Sequence, residues 1–182
     1  MANHVYSYIS FVNLSQEAED YLNNAGDNFL HSVYDLSEDV DIDNALWYNE
    51  NVGSKWMNFE EINSELVSTV SAWGPPGNFY DALYEKLQSL NSPDLEIWAR
   101  YDDEMPNFVG CWGRIGDYDY EECVDEEYYE RVIGCTPHIL DEDGEWEDSN
   151  EDWYDELDKW YDSEYDCFLE SYKEYLEENE GE

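Results

Sequence analysis

The sequence predicts an α+β fold with an acidic, aromatic-rich helical extension at its C-terminal end. Four short segments have the alternation and the β-branched and aromatic composition of strands, and two segments between them have helical spacing. From residue 153 onward, aromatic side chains recur in steps of three and four residues while acids fill most other positions. We therefore expect a scaffold domain at residues 1–116 and an acidic helical extension at residues 117–182.

The N-terminal segment is predicted to form a strand followed by a helix. Residues 4–12, HVYSYISFV, alternate and are rich in β-branched and aromatic residues. Ser15 is a suitable N-cap for a helix that runs to about Asn24, and Gly26 follows as a stop signal. The polar stretch 35–56 is predicted to hold little regular structure, with room for one extra element in the region 30–60.

The rest of the scaffold predicts the order β-α-β-α-β-β. The remaining elements are a strand at 65–73, a helix at 78–90, a strand at 94–101 and a strand at 108–115. GPPG at 74–77 predicts a turn because two prolines cannot donate hydrogen bonds to a sheet. A hairpin turn is expected at 102–107.

The extension is predicted to contain two helices, at about 122–132 and over the final run 151–182, separated by a loop at 141–150. In the second helix the apolar positions advance by 3, 4, 4, 3, 4 and 3 residues, which keeps them on one helical face for six turns. These positions are Tyr154, Leu157, Tyr161, Tyr165, Phe168, Tyr172 and Tyr175. We expect this face to dock on the scaffold or on a second copy of the chain in a homodimer.

Charge is the dominant property of the chain. It has 48 acids against 7 bases, and the net charge of −41 causes strong self-repulsion. Residues 117–182 hold 28 of these acids with only 3 bases. A chain this acidic is not expected to bind nucleic acid or an anionic membrane directly. The expected partner is a protein with a strongly basic surface, and most such surfaces bind nucleic acid.

The start of the chain and the lack of a long apolar run predict an intracellular location. The start has neither a basic leader nor a long apolar run, and no stretch approaches the ~18 apolar residues of a membrane span. We therefore expect a protein of the host cell cytoplasm. The four cysteines are expected to be reduced there.

Several motifs between residues 47 and 110 resemble the YubB family of small phage and plasmid proteins. They are Trp47, Gly53-Ser54-Lys55-Trp56, the segment 69–76 (TVSAWGPP), Tyr101 and Phe108-Val109-Gly110. Ser54 and Gly74 depart from the Thr and Ser of the family pattern. The resemblance covers about residues 1–115 and implies a ferredoxin-like split βαβ sheet with helices on one face. It implies a phage or plasmid context and no particular activity.

The acidic helix predicts DNA mimicry. Residues 151–182 carry a net charge of −12, which over about 48 Å of helix is one charge per ~4 Å. One strand of B-DNA carries one charge per ~3.4 Å. This character resembles that of phage and plasmid antirestriction proteins such as Ocr and ArdA. The candidate partner-binding residues are Asp119, Glu122, Asp125, Glu126, Glu130, Asp152, Asp155, Glu156, Asp162, Glu164, Asp166, Glu170, Glu174 and Glu177.

The expected targets are, in order, a restriction-modification enzyme, a CRISPR effector and a repair nuclease or glycosylase. Two other interpretations remain open: an acidic chaperone-like module for a basic partner, and an acidic face that only maintains solubility. The two differ from mimicry in geometry, because only mimicry requires rows of carboxylates with duplex-like spacing.

Metal and catalytic motifs find little support in the sequence. Cys135 and His138, with Cys111 and Cys123 upstream, form only one of the two close pairs that are usual in structural zinc sites. The acidic stretch 141–152 has Gly144 at position 4, whereas an EF-hand loop requires glycine at position 6. No hydrolase, phosphate-loop or metalloprotease motif is present. We therefore expect no enzyme activity, no metal and no cofactor.

Overall fold

A six-stranded antiparallel sheet forms the centre of the protein. The computed structural model describes residues 3–42, 44–140, 146–147, 150 and 152–179. The strands lie in the order β2-β3-β1-β4-β5-β6, and every neighbouring pair is antiparallel. They are β1 (His4–Val12), β2 (Met57–Ile62), β3 (Val67–Ala72), β4 (Glu96–Asp103), β5 (Phe108–Ile115) and β6 (Tyr118–Asp125). The α+β class is thereby confirmed.

The helices are distributed along the whole chain. They are α1 (Gln16–Asn23), α2 (Phe29–Val33), α3 (Ala45–Asn51), α4 (Gly77–Ser89), α5 (Tyr129–Val132) and α6 (Trp153–Asn179). A 3-10 turn at Glu126–Tyr128 precedes α5, and a small hairpin pairs β7 (Ile139–Leu140) with β8 (Trp146–Glu147). In the described part of the chain, no helix is long and apolar enough to cross a membrane.

Most predicted scaffold elements are confirmed to within a few residues. Strand β1 matches its prediction, and the Ser15 hydroxyl accepts a hydrogen bond from the amide of Ala18 at 3.1 Å, as expected of an N-cap. The predicted strands at 65–73, 94–101 and 108–115 and the helix at 78–90 correspond to β3, β4, β5 and α4. Strand β1 alternates between buried and half-buried positions, whereas β3, β4 and β5 are buried along most of their length on both faces of the sheet.

Two predictions about secondary structure are wrong. The region 30–60, expected to have room for one extra element, contains parts of α2 and β2 and the whole of α3. Helix α3 begins where the Asn44 side chain accepts a hydrogen bond from the Trp47 amide at 2.8 Å. The helix predicted at 122–132 is instead the end of β6 followed by short helical turns. Tyr118, Tyr120 and Val124 recur at even intervals on one face of β6, and pairing along the whole of β5 extends that pattern into a strand.

The two faces of the sheet support separate cores. On one face, α1 and α4 bury mostly aliphatic and phenylalanine side chains against β1, β3 and β4, including Val5, Ile9, Leu22, Phe79, Leu83 and Ile97. On the opposite face, α6 covers β4, β5 and β6 with a largely aromatic core that includes Trp98, Val109, Cys111, Val124, Trp160 and Phe168. In the described part of the chain, helices therefore lie on both faces of the sheet, with α1 and α4 on one face and α6 on the other.

Two glycines of β5 make room for large rings. A Cβ at Gly110 would lie 2.4 Å from the ring of Tyr101, its partner across the strand pair. A Cβ at Gly113 would lie 2.9 Å from the ring of Trp98 and 3.0 Å from that of Phe168. Gly113 therefore allows α6 to approach the sheet closely.

Candidate acidic interface on helix α6

Helix α6 is held against the sheet by buried rings with polar tips. Its 27 residues span about 40 Å at 1.5 Å per residue. Phe168 is fully buried and stacks on Trp98 with ring centroids 5.5 Å apart. The Tyr161 hydroxyl donates to the carbonyl oxygen of Tyr101 at 2.8 Å. The predicted amphipathic helix is confirmed, and most of its aromatic face packs on the sheet of its own chain. Tyr154, predicted on that face, is instead 66% exposed, and the neighbouring Trp153 is buried.

The acids of α6 lie mainly on its outer side. Seven predicted residues in or just before the helix are exposed: Asp152, Asp155, Asp162, Asp166, Glu170, Glu174 and Glu177. Glu156 and Glu164 are only partly exposed. Glu156 forms a salt bridge with Lys159 at 2.5 Å, and Glu164 accepts a hydrogen bond from the Tyr120 hydroxyl at 2.6 Å. The latter two acids therefore have roles within the chain.

The charge density of α6 is lower than the sequence estimate for the full C-terminal stretch. Residues 153–179 contain ten acids and two lysines, a net charge of −8. Over about 40 Å this is one net charge per ~5 Å, against ~3.4 Å in one strand of B-DNA. The difference arises because four acids, Glu151, Asp152, Glu180 and Glu182, lie outside residues 153–179, whereas both lysines, Lys159 and Lys173, lie inside them.

The five predicted residues before α6 do not form one row beside it. On β6, Glu122 pairs with Cys111 and lies on the face that α6 covers, whereas Asp119 and Asp125 lie on the opposite face by the alternation of the strand. Glu126 belongs to the 3-10 turn and Glu130 to α5. All five are exposed. The structure therefore groups Glu122 with α6 and separates Asp119 and Asp125 from it.

Few bases neutralise these acids. Arg114 binds Asp81 at 2.7 Å, Lys86 binds Asp35, and Arg100 binds Asp158 at 2.9 Å. In the described part of the chain, no salt bridge reaches six of the exposed acids of α6, namely Asp155, Asp162, Asp166, Glu170, Glu174 and Glu177. These six carboxylates are free to meet a basic partner.

Sequence reasoning missed a row of polar residues beneath α6. Glu96, Arg100 and Asp102 alternate along β4 with Trp98 and share the face that α6 partly covers. Burial raises the pKa of the Asp102 carboxyl to about 6, although the nearby Arg100 opposes this shift. The alternation of the segment 94–101 indicated that these residues share a face, but their position under the helix depends on tertiary packing.

The candidate zinc ligands do not form a cluster in the described part of the chain. Cys111 is buried on the α6 side of β5, whereas Cys123 lies on the other side of β6 and is exposed. Among the described residues, no group of three or more His, Cys, Asp and Glu side chains is arranged to hold a metal ion. Most of the acidic stretch 141–152 considered for calcium, and most of the loop predicted at 141–150, lie outside the described residues.

Comparisons with known proteins supply no relative. No family model, no curated protein and no solved structure matches this chain. The function therefore has to be argued from the residues and the geometry of the chain itself.

Proposed function

We propose that this protein is a phage- or plasmid-encoded DNA mimic. It binds the basic DNA-binding groove of a host defence protein in the host cytoplasm and inhibits that protein competitively. One observation supports this function best: exposed carboxylates without salt bridges recur along about 33 Å of the outer side of α6, from Asp155 to Glu177. Their mean charge spacing is of the same order as that of one DNA strand.

In this mechanism the carboxylates take the place of DNA phosphates. The basic groove of the target loses its bound anions when the mimic binds, as it does when DNA binds, so the affinity falls steeply with salt. The exposed charges are largely screened beyond about 10 Å at 0.1 M ionic strength. Long-range attraction from a net charge of −41 accelerates the encounter at low salt.

Packing against the sheet makes α6 a rigid binding surface. Five residues of α6 are buried, Trp153, Leu157, Trp160, Tyr161 and Phe168, so the helix has little freedom to lose when a partner binds. A preorganised binding surface loses less entropy on association than a flexible acidic tail would. This rigidity favours a shape-specific role over a face that only maintains solubility.

The proposed scaffold is a ferredoxin-like split βαβ domain. The order β2-β3-β1-β4 and the crossings that contain α1 and α4 support this topology. Restriction-modification enzymes are the first expected target, CRISPR effectors the second, and repair nucleases or glycosylases the third. No catalytic role is proposed.

The test is a pull-down from host lysate on the immobilised protein, followed by competition with duplex DNA. We expect a basic DNA-binding protein that is released by duplex DNA and by rising salt. The variant with Asp155→Asn, Asp166→Asn and Glu174→Gln should bind this protein at least tenfold more weakly. Asp20→Asn, Glu38→Gln and Glu65→Gln together form a control, since they remove the same charge from exposed positions outside α6.

Two results would count against mimicry. A partner that duplex DNA does not displace would favour the acidic chaperone-like module instead. Equal loss of binding in the two triple variants would mean that net charge alone decides the affinity, and that the row on α6 has no special role.

A further inference from the structure

A groove separates the C-terminal helix from the first strand of the sheet. Its volume is about 430 Å³, and it opens to solvent between α6 and the ends of β1 and β4. That volume equals about fourteen waters at ~30 Å³ each, which is enough for one long side chain. Its walls and floor are formed mainly by Tyr8, Ser10, Glu96, Trp98, Tyr161 and Tyr165.

One guanidinium already lies in this groove. The central guanidinium carbon of Arg100 lies 5.7 Å from the ring centroid of Tyr8 and 5.7 Å from that of Tyr161. Its Nη1 atom donates to Asp158 at 2.9 Å. Contacts of this kind between a guanidinium, aromatic faces and a carboxylate are the usual way in which proteins bind arginine.

The groove also contains a carboxylate that no cation of the described residues neutralises. Glu96 is 8% exposed, and in the described part of the chain its side chain accepts a hydrogen bond only from the Tyr165 hydroxyl. No salt bridge of the described residues involves Glu96. A buried carboxylate without a cation is costly, and a cation that enters the groove offsets this cost.

We propose that this groove binds an arginine side chain of the basic partner. The incoming guanidinium pairs with Glu96 at the floor and with the exposed Asp162 at the rim, and it packs against the rings of Trp98 and Tyr165. Arginine fits better than lysine because its planar group stacks on rings and can pair with a carboxylate through two hydrogen bonds. This inference rests on the proposed function for the basic character of the partner.

Such a site would fix the position of the partner along the acidic surface. Exposed carboxylates on α6 attract a basic partner but fix its orientation weakly, since exposed ion pairs contribute little. An arginine held in a largely desolvated aromatic groove is a typical binding hot spot. The groove would therefore set which part of the partner faces α6.

The test is a titration of the whole protein with a blocked Gly-Arg-Gly tripeptide, followed by amide and indole NMR. We expect shifts concentrated at Ser10, Trp98 and Tyr165, with a dissociation constant of about 1 mM. Matched peptides carry lysine or the neutral isostere citrulline in place of arginine. The lysine peptide should bind several-fold more weakly, and the citrulline peptide should not bind measurably.

Two variants examine the groove directly. Glu96→Gln should weaken binding of the arginine peptide at least tenfold, whereas Glu178→Gln, which removes an exposed charge from the far end of α6, should leave it unchanged. Ser10→Phe provides a second route if Glu96→Gln fails to fold, because Ser10 is exposed at the groove and a phenyl ring there would fill it.

The proposal is overturned if the citrulline peptide binds as well as the arginine peptide. Shifts spread along the outer side of α6, or equal effects of Glu96→Gln and Glu178→Gln, would also overturn it. These outcomes are independent of mimicry, since displacement of the partner by duplex DNA is measured separately. Peptide binding without DNA competition would retain the groove and reject mimicry, and the reverse result would do the opposite.

Discussion

Helices α4 and α6 pack on opposite faces of one sheet. They differ in whether their acidic side chains form salt bridges. The acids of α4, Asp81 and Glu85, both lie near Arg114, at 2.7 and 3.8 Å. The guanidinium of Arg114 also lies 4.7 Å from the ring centroid of Tyr84. Helix α6 has ten acids and two lysines, and six of its exposed acids form no salt bridge in the described residues.

The cores beneath the two helices also differ, in the types of side chain that form them. Aliphatic side chains are the majority on the α4 side, whereas aromatic side chains are the majority on the α6 side. Burial of an aromatic ring removes about 150–250 Å² from water, at roughly 25 cal/mol per Å². The larger apolar area per residue under α6 helps to offset the repulsion among its carboxylates. Tyrosine adds polar tips, such as the Tyr161 hydroxyl, that anchor the helix to the backbone of the sheet.

The largest expected effect comes from the ring that joins α6 to the sheet. Phe168→Ala should lower the free energy of unfolding by about 4 kcal/mol, because it removes a fully buried ring and leaves a cavity beside Trp98. Urea unfolding measures this change. Leu83→Ala on α4 is the matched variant for the other face and should cost about 3 kcal/mol. A cost below about 1 kcal/mol for Phe168→Ala alone would mean that α6 is not docked as described.

A smaller effect is expected where the backbone of β5 approaches α6. Gly113→Ala should destabilise the protein by about 2 kcal/mol, since the new methyl group would lie 2.9 Å from the Trp98 ring and 3.0 Å from the Phe168 ring. Gly26→Ala is the control, because a Cβ there meets nothing within 4 Å. Chemical denaturation of both variants gives the comparison. Similar stabilities for the two would contradict the close contact between α6 and β5.

The half-buried carboxyl of Asp102 should give the α6 side its own pH dependence. Its pKa is about 6 in the folded protein, against 3.8 ordinarily, so the unfolded chain releases this proton at lower pH. The folded state therefore loses stability as the pH rises from about 4 to 6. Asp102→Asn removes this loss, and its advantage should grow by about 1 kcal/mol between pH 5 and 7 and then stay constant.

Thermal unfolding of Asp102→Asn and of the native protein at several pH values measures that advantage. Asp20→Asn is the control because Asp20 is exposed, and its effect should not vary over this range. An advantage of Asp102→Asn that is the same at pH 5 and pH 7 would refute the raised pKa.

The smallest expected effect concerns the outer side of α6. The triple variant of Asp155, Asp166 and Glu174 should raise Tm by a degree or two at low salt, because it relieves repulsion among exposed carboxylates. On α4 the sign should reverse: Asp81→Asn should lower Tm because it breaks the salt bridge to Arg114. Scanning calorimetry at low and high salt measures the Tm of the triple variant and of Asp81→Asn. A Tm of the triple variant below that of the native protein would contradict the conclusion that these carboxylates of α6 repel one another.

Local pattern was sufficient for the last helix, for the start of α1 and for three of the strands. The steps of three and four in the last helix, the alternation of β1, β4 and β5, and the Ser15 cap could all be found in the sequence. The pattern failed at 122–125, which was predicted as the start of a helix but belongs to β6. It also failed at 45–51, where α3 depends on the Asn44 cap and on contact between the rings of Trp47 and Tyr34. In both places pairing or packing with distant residues decided the structure.

For the candidate interface too, some features follow from the sequence and others depend on the tertiary structure. The sequence by itself determined the strong negative charge, the α+β class and the separation of aromatics from most acids on the last helix, because these follow from composition and helical periodicity. Only the tertiary structure decided which sheet face α6 covers, which acids remain unpaired, and that Glu96 and Arg100 lie in a groove beneath the helix. Those features depend on strand order and on the close approach that Gly113 permits, and neither is encoded in any short stretch of the chain.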